Sequence, residues 1–324
     1  MAISSFTARV TRVDRGACFV LTDDGEVRYA YSGALKRAAH DDPVALPCVG
    51  DWVTVDTEVR TVQPRRTAIV RASVTPGMSV GQVLAANVDI VFIAEPTVPE
   101  IDLGRIERFL ALAWESGAQP VVVITKADLG EVDLAAIEAA APGAPVHLVS
   151  SVAGTGLDAI RLPAGQTAVI LGRSGAGKST LVNALAGADV MATNAIREGD
   201  GRGRHTTVHR ELIVLPDGGM LIDTPGLRSI GLYDADDGLA QVFSDIDELA
   251  GACRFHDCRH ETEPGCAVLA AIEAGDLPQR RLDSWRKLQR EARYMASRTD
   301  ARIRAEEQRK WRAISKSVKG RARP

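Results

Sequence analysis

The stretch from Val169 to Thr180, Val-Ile-Leu-Gly-Arg-Ser-Gly-Ala-Gly-Lys-Ser-Thr, restricts this chain more than any other. An apolar strand runs into a glycine-rich turn, and Leu181-Val182-Asn183-Ala184-Leu185 then continues as a helix. Gly172, Gly177, Lys178 and Ser179 fit G-x-x-x-x-G-K-[ST], with Gly175 inside the turn. Glycines at these positions let backbone N–H groups curl around phosphate oxygens, the lysine neutralises the outer phosphates, and the hydroxyl is a magnesium ligand. The positive end of the helix faces the same anion. Residues Gly172, Arg173, Ser174, Gly175, Ala176, Gly177, Lys178, Ser179 and Thr180 are therefore the expected contacts of a nucleoside triphosphate.

A phosphate cradle of this kind belongs to an α/β domain, and the sequence around it has that rhythm. Val88–Ala94 reads as a buried strand, Leu103–Trp114 as a helix, Val121–Ile124 as a strand, Asp133–Ala141 as a helix, and Val146–Val149 and Thr167–Leu171 as strands. Strand and helix in alternation predict a largely parallel sheet with ligands at the carboxyl ends of its strands. Those ends carry further chemistry. Thr125-Lys126-Ala127-Asp128 resembles the [NT]-K-x-D signature that reads guanine, whose N1–H and 2-amino group give one carboxylate two parallel hydrogen bonds. Ser150-Ser151, with Gly154-Thr155-Gly156 after it, resembles the motif whose backbone touches the guanine oxygen. Beyond the cradle, Gly201-Arg202-Gly203-Arg204-His205-Thr206-Thr207 reads as a mobile loop, from which Thr206 or Thr207 would close on magnesium and the γ-phosphate. Two strands around Pro216-Asp217-Gly218 then end in Asp223-Thr224-Pro225-Gly226, a D-x-x-G motif. There Asp223 would hold magnesium through water, and the Gly226 N–H would meet the γ-phosphate. The two base-reading motifs precede the three phosphate motifs, the reverse of the Ras-like order. Moving the chain break leaves a pocket at one sheet edge intact, so the domain is expected to be circularly permuted.

At 324 residues there is chain for more than this domain. Residues 1–72 show five short alternating or β-branched runs with Asp23-Asp24-Gly25 as a hairpin signal, which suits a small β-barrel such as an OB-fold. Arg65, Arg66 and Arg71 suit either an RNA-facing or a packing surface. Residues 73–86, with Pro76-Gly77 and Gly81, read as a linker, residues 87–234 as the permuted GTPase domain, and residues 235–324 as a helical zinc-binding domain with a basic tail.

The zinc reading comes from cysteine spacing. Cys253, Cys258, His260 and Cys266 supply three thiolates and an imidazole within fourteen positions, the Cys₃His set of a closed structural site. Cys18 and Cys48 lie apart in apolar surroundings and read as small buried hydrophobes. Charge is uneven as well. Residues 279–324 carry 16 Lys and Arg against 5 Asp and Glu, a net +11 in a chain of net −3, so the rest holds −14. Such a tail is either a solvated helix face or the footprint of a nucleic-acid backbone. The chain has no run of eighteen uncharged apolar residues, and Met1–Phe6 has neither the basic start nor the long apolar stretch of a secretory signal, which predicts a cytoplasmic protein with no membrane partner.

Barrel, permuted GTPase and zinc module in this order closely resemble the bacterial GTPases that depend on the small ribosomal subunit, the RsgA family. The resemblance runs from about residue 7 to 295. Its most specific parts are Gly201–Thr207, Asp223–Gly226, and the run from Cys253 through Cys258-Arg259-His260 and Glu263-Pro264-Gly265 to Cys266-Ala267-Val268. It implies GTP and GDP, Mg²⁺ and one structural Zn²⁺ as cofactors. It also implies hydrolysis stimulated by the 30S subunit late in that subunit's maturation, with the OB-fold and zinc module gripping 16S rRNA, in a protein expected to be a monomer. Two other functions fit the residues alone: a nucleic-acid-binding module with a structural nucleotide, and a permuted GTPase of large-subunit assembly. The zinc pattern speaks against the second.

The chain departs from the family in the ten residues between Gly156 and Thr167, which leave room for a single helical turn. Catalysis is expected to rest on Lys178 and magnesium. The residue after D-x-x-G, a glutamine in Ras-like enzymes, is Leu227, which cannot polarise water, so His205 is the candidate for orienting it.

Overall fold

A computed structural model of the chain describes residues 5–75, 78–191, 210–223 and 235–299. Strands β1 (Phe6–Asp14), β2 (Ala17–Thr22) and β3 (Gly25–Ala30) precede helix α1 (Gly33–Asp41), then come β4 (Trp52–Val55) and β5 (Val59–Val62). Strand β1 pairs antiparallel with β2 and β4, β2 with β3, and β4 with β5. A parallel bridge from Tyr31 to Val59 closes this five-stranded circuit. Its period-two residues Ala8 and Val10, Cys18 and Val20, and Val53 and Val55 point inward and make one buried cluster. Burial pushes the Cys18 thiol up to about 12, in keeping with a packing role. Helix α1 has no counterpart among the sequence expectations; Ser32 starts it by accepting the Leu35 N–H at 3.2 Å.

Arg65 turns out to serve packing. Its Nε and Nη2 grip the fully buried Asp51 carboxylate at 2.8 and 2.7 Å, and its remaining donors reach the carbonyls of Val44 and Leu46. Arg66 pairs with Asp89 at 3.1 Å.

Residues 73–86 differ from the linker expected there. Strands β6 (Ala68–Thr75) and β7 (Met78–Ala86) pair antiparallel along their whole length as a two-stranded ribbon. Pro76-Gly77 dominated the sequence reading, but the β-branched residues on either side, Val70 and Val74 before it and Val80 and Val83 after it, are strand formers.

The nucleotide-type sheet follows: β8 (Ile90–Pro96), α2 (Leu103–Glu115), β9 (Gln119–Thr125), α3 (Leu134–Ala140), β10 (Val146–Val149), β11 (Thr167–Leu171), α4 (Lys178–Ala186), β12 (Glu211–Val214) and β13 (Met220–Asp223). The expected single turn appears as a 3₁₀ helix at Leu157–Ile160. Across the sheet the order is β10-β9-β8-β11-β13-β12, with all pairs parallel except the β12–β13 hairpin. Strand β12 then joins β1 through the pair Arg12–Glu211, so one sheet runs from β10 into the barrel.

Helices α5 (Asp236–Val242), α6 (Ser244–Gly251), α7 (Ala267–Ala274) and α8 (Gln279–Thr299) complete the described chain. Helix α2 buries Ile106, Phe109, Leu110 and Ala113, the i, i+3, i+4, i+7 stripe of an amphipathic helix. That stripe meets Val91, Ile93, Val122 and Ile124 of the sheet on one side and Leu239, Val242, Phe243, Leu282 and Leu288 on the other, all in one core. The opposite face of the sheet packs Phe92, Ala94, Val123 and Ile170 against Leu181 and Val182 of α4. The cradle strand β11, between the two cores, is buried at all five positions.

Candidate functional site

The cradle forms where β11 leaves the sheet. Gly172 lies so near β8 that a Cβ there would come within 2.4 Å of the Ala94 carbonyl, so the turn needs a glycine for close approach. Gly175 and Gly177 both have φ of +79°, the left-handed region in which a side chain is strained. Helix α4 then begins at Lys178 with no side chain capping its first N–H groups. An uncapped helix start wrapped by a glycine turn fits a phosphate chain. Lys178 Nζ donates to the carbonyls of Gly172 and Arg173 at 2.9 and 2.8 Å, which holds the ammonium over its own loop. Within the loop Ala176 is fully buried, Ser174 and Gly175 are exposed, and Arg173, Gly177, Ser179 and Thr180 are half-buried.

The base-reading motif is fastened to this turn directly. Thr125, at the end of β9 and 3 % exposed, donates its hydroxyl to the Ala176 carbonyl at 2.7 Å. Lys126 has φ of +56°, rare for a residue with a side chain, and its carbonyl accepts the Thr97 hydroxyl at 2.6 Å. The Ala127 N–H donates to Val149 at 3.2 Å, tying β9 to β10 at their carboxyl ends, and Asp128 stands exposed beyond it. Ser150 is fully buried; it exchanges backbone hydrogen bonds with Thr155, and its hydroxyl accepts the Ala153 N–H at 3.1 Å. Gly156 permits this fold-back, since a Cβ there would sit 2.1 Å from the Leu148 carbonyl. Ser151 follows, half-buried, on the same loop.

Of the remaining phosphate motifs, Asp223 ends β13, whose Ile222 is in register with Val169 of β11. The D-x-x-G aspartate therefore lies beside the strand that enters the cradle. Ser179, the second residue of α4, supplies a hydroxyl and Asp223, at the neighbouring strand end, a carboxylate, the kinds of oxygen donor that magnesium takes. His205, Thr206, Thr207, Gly226 and Leu227, together with the basic tail beyond residue 299, lie outside the described residues.

The second centre is the cysteine cluster. Cys253 Sγ, Cys258 Sγ, His260 and Cys266 Sγ offer ligand atoms within 4.8 Å of one another. His260 Nδ1 is 3.6 Å from Cys253 Sγ and 3.4 Å from Cys266 Sγ, and those two sulfurs are 3.9 Å apart. Tetrahedral zinc with its usual bond lengths separates two thiolates by about 3.8 Å and a thiolate from an imidazole nitrogen by about 3.5 Å. The donor set thus fits zinc, with all four positions taken by protein. Its surroundings are organised for the purpose. Ala267 and Leu269 at the start of α7 donate N–H groups to Cys253 Sγ and Cys266 Sγ, and the Arg286 guanidinium holds the His260 carbonyl. Glu263 accepts the N–H groups of Arg259, Glu261 and Thr262, and the surrounding backbone N–H groups bring its carboxyl down to about 2. Burial lowers the His260 pKa, which favours the neutral imidazole that ligation requires. His256 is exposed and outside the cluster.

Sequence reasoning named the motif residues and missed what ties their loops together: the Thr125–Ala176 and Thr97–Lys126 bonds, which join residues 51 and 29 positions apart. The positive φ of Lys126 left no composition signal at all.

A cradle on the central strand, the Thr125–Asp128 and Ser150-Ser151 loops at the ends of the two strands after β8, and an aspartate on its other neighbour match a P-loop GTPase in permuted chain order. The comparisons with known proteins agree. A family model described as RsgA GTPase matches residues 62–233. A protein of Streptomyces avermitilis named small ribosomal subunit biogenesis GTPase RsgA is 54 % identical, covering 97 % of this chain and 86 % of that one. One of Listeria monocytogenes, named RsgA 2, is 41 % identical over 98 % of this chain and 93 % of its own. Among solved structures, YloQ, described as a circularly permuted GTPase, covers 90 % of this chain at 26 % identity and a TM-score of 0.57. YjeQ from Thermotoga maritima shares the fold at 24 % identity, with a TM-score of 0.62 over 89 % of this chain. The chain belongs to the RsgA GTPase family and is a GTP-hydrolysing enzyme.

Proposed function

We propose that this GTPase acts in the maturation of the small ribosomal subunit and that the 30S particle stimulates its hydrolysis of GTP. The observation that carries the nucleotide part is the Thr125–Ala176 hydrogen bond, which joins the Thr125–Asp128 loop directly to the phosphate cradle. Thr125, Lys126, Ala127 and Asp128 take the base together with Ser150 and Ser151, and Gly172 to Thr180 take the phosphates. Thr206 or Thr207 and Gly226 close on the γ-phosphate. Ser179, one of those threonines, and Asp223 through water hold Mg²⁺, which when bound offsets the negative charge of the phosphates. Lys178 leaves the Gly172 and Arg173 carbonyls for the phosphate oxygens and stabilises the charge of the transferring group. Water attacks the γ-phosphate; GDP and phosphate leave. His205 orients the water in place of the glutamine that Leu227 replaces.

The strand circuit of the N-terminal barrel, with α1 between β3 and β4 and β3 closing in parallel on β5, supports reading residues 1–72 as an OB-fold. The permuted GTPase domain follows at 87–234 and the zinc module at 235–324. Zinc on Cys253, Cys258, His260 and Cys266 is structural, and barrel and zinc module together contact 16S rRNA. Among the described residues no helix is long and apolar enough to cross a membrane, and action on the 30S particle would place the protein in the cytoplasm. Phosphate release measured with purified 30S subunits, with 50S subunits and with neither tests this. Stimulation by 30S alone is expected; stimulation by 50S alone assigns the enzyme to the large subunit, and no stimulation by either removes the ribosomal reading.

A further inference from the structure

One row of paired residues crosses from the barrel into the phosphate site. Phe19 of β2 is in register with Arg12 of β1, Arg12 with Glu211 of β12, and Glu211 with Asp223 of β13. Residues directly opposite on neighbouring strands share a face and lie within about 5.5 Å of each other at Cβ. The row therefore sets two carboxylates, Glu211 and the D-x-x-G aspartate, side by side. Like charges so placed repel. Arg12 stands on the other flank of Glu211, its Nη1 4.0 Å from the carboxylate and its guanidinium 3.8 Å above the Phe19 ring. Phe19 thus fixes the cation in position while its charge offsets that of Glu211.

We propose that Arg12 and Glu211 are positioning residues for the magnesium site: Glu211 adds negative potential at Asp223, and barrel residue Arg12 sets how much of it the cation feels. This rests on the reading of Asp223 as a magnesium residue. Arg12 is two strands from Asp223, a separation close to the screening length at physiological salt, so its direct influence there is weakened and its main effect is on the nearer Glu211. An anionic partner that draws Arg12 off Glu211 would strengthen magnesium binding from outside the nucleotide pocket.

The test is stopped-flow release of a fluorescent GDP analogue from the full chain as Mg²⁺ is titrated, with the Mg²⁺ midpoint as the readout and melting temperature as a control on folding. Arg12→Ala should lower the midpoint by about threefold and Glu211→Gln should raise it by about as much, the range of a cross-strand charge pair. Arg12→Lys should keep the wild-type midpoint, and Arg12→Ala should have a clearly smaller effect in the Glu211→Gln background. An equal Arg12→Ala shift in both backgrounds, or midpoints that move in neither single variant, overturns the proposal. Asp223→Asn separates the layers: if it leaves the midpoint in place, the magnesium reading of Asp223 is what fails.

Discussion

Arg281 of α8 is the residue whose loss should be felt furthest from its own helix. Its side chain is 4 % exposed, and four donor contacts leave it: Nη1 to Glu107 at 3.0 Å, Nε and Nη2 to Asp245 at 2.5 and 3.0 Å, and Nη2 to the Val242 carbonyl at 2.6 Å. These reach α2 of the nucleotide sheet, α6 and the end of α5, so one guanidinium joins the C-terminal helices to the GTPase core. Arg281→Met keeps an unbranched stem beside Phe243 and removes all four. Asp245 is 41 % exposed and regains water, so its share of the loss is small. Glu107 is fully buried, and its Oε2 already has no hydrogen-bond partner among the described residues, so it feels the loss most. Removing one partner of a buried pair costs about 3–5 kcal/mol. Arg280 still holds Glu107 Oε1 at 2.9 Å, which places the expected cost at the lower end, about 3 kcal/mol. For a chain of 324 residues that is a fall of about 4–5 °C in Tm. Circular dichroism melting of the zinc-loaded full chain measures it. Glu107→Gln added to Arg281→Met removes the stranded charge and should return about 1 kcal/mol. A double variant less stable than Arg281→Met, or a single variant melting with wild type, refutes the argument.

Three further outcomes follow from the sites. Gly172→Ala forces a Cβ against the Ala94 carbonyl and should weaken GTP binding by about tenfold or more with an unchanged circular dichroism spectrum, as overpacking at this contact costs about 1–3 kcal/mol; an unchanged Kd in calorimetry would mean that the close approach does not shape the cradle. Asp128→Asn should lower GTP affinity and gain xanthosine triphosphate, shifting the preference by about 100-fold in competition binding, because the base edge and side chain exchange donor for acceptor; retained GTP preference sinks the base assignment. Cys266→Ser should reduce bound zinc from about one per chain to none by elemental analysis and lower the melting transition of α7 and α8; full zinc retention would remove Cys266 from the ligand set.

Most of the nucleotide sheet could be read from the sequence because its signals are local. Four apolar residues such as Val121–Ile124 followed by Thr-Lys-x-Asp announce both a strand and what stands at its end, and β9 and α2 appear within a few residues of the expected bounds. The cysteine cluster was legible for the same reason, since zinc geometry demands particular residue types at short spacing. What stayed hidden depends on partners far away in the chain. Arg65 stood open between an RNA-facing and a packing surface until Asp51 was seen beneath it, and the ribbon β6–β7 was masked by one Pro-Gly step. The joining of β12 to β1 spans some two hundred residues, and no periodicity in either strand points to the other.

The place of β11 in the sheet bears on how the molecule is made. Its two neighbours flank it in space, but β8 is synthesised about 75 residues earlier and β13 about 50 later. As the chain leaves the ribosome, β8-α2-β9-α3-β10 is therefore complete first, with the apolar edge strand Val91-Phe92-Ile93-Ala94 waiting for its other partner. Such an edge is a template for foreign strands. A nascent chain stalled before Thr167 is then expected to be the form most prone to aggregate, and arrival of the cradle strand both seals that edge and completes the pocket.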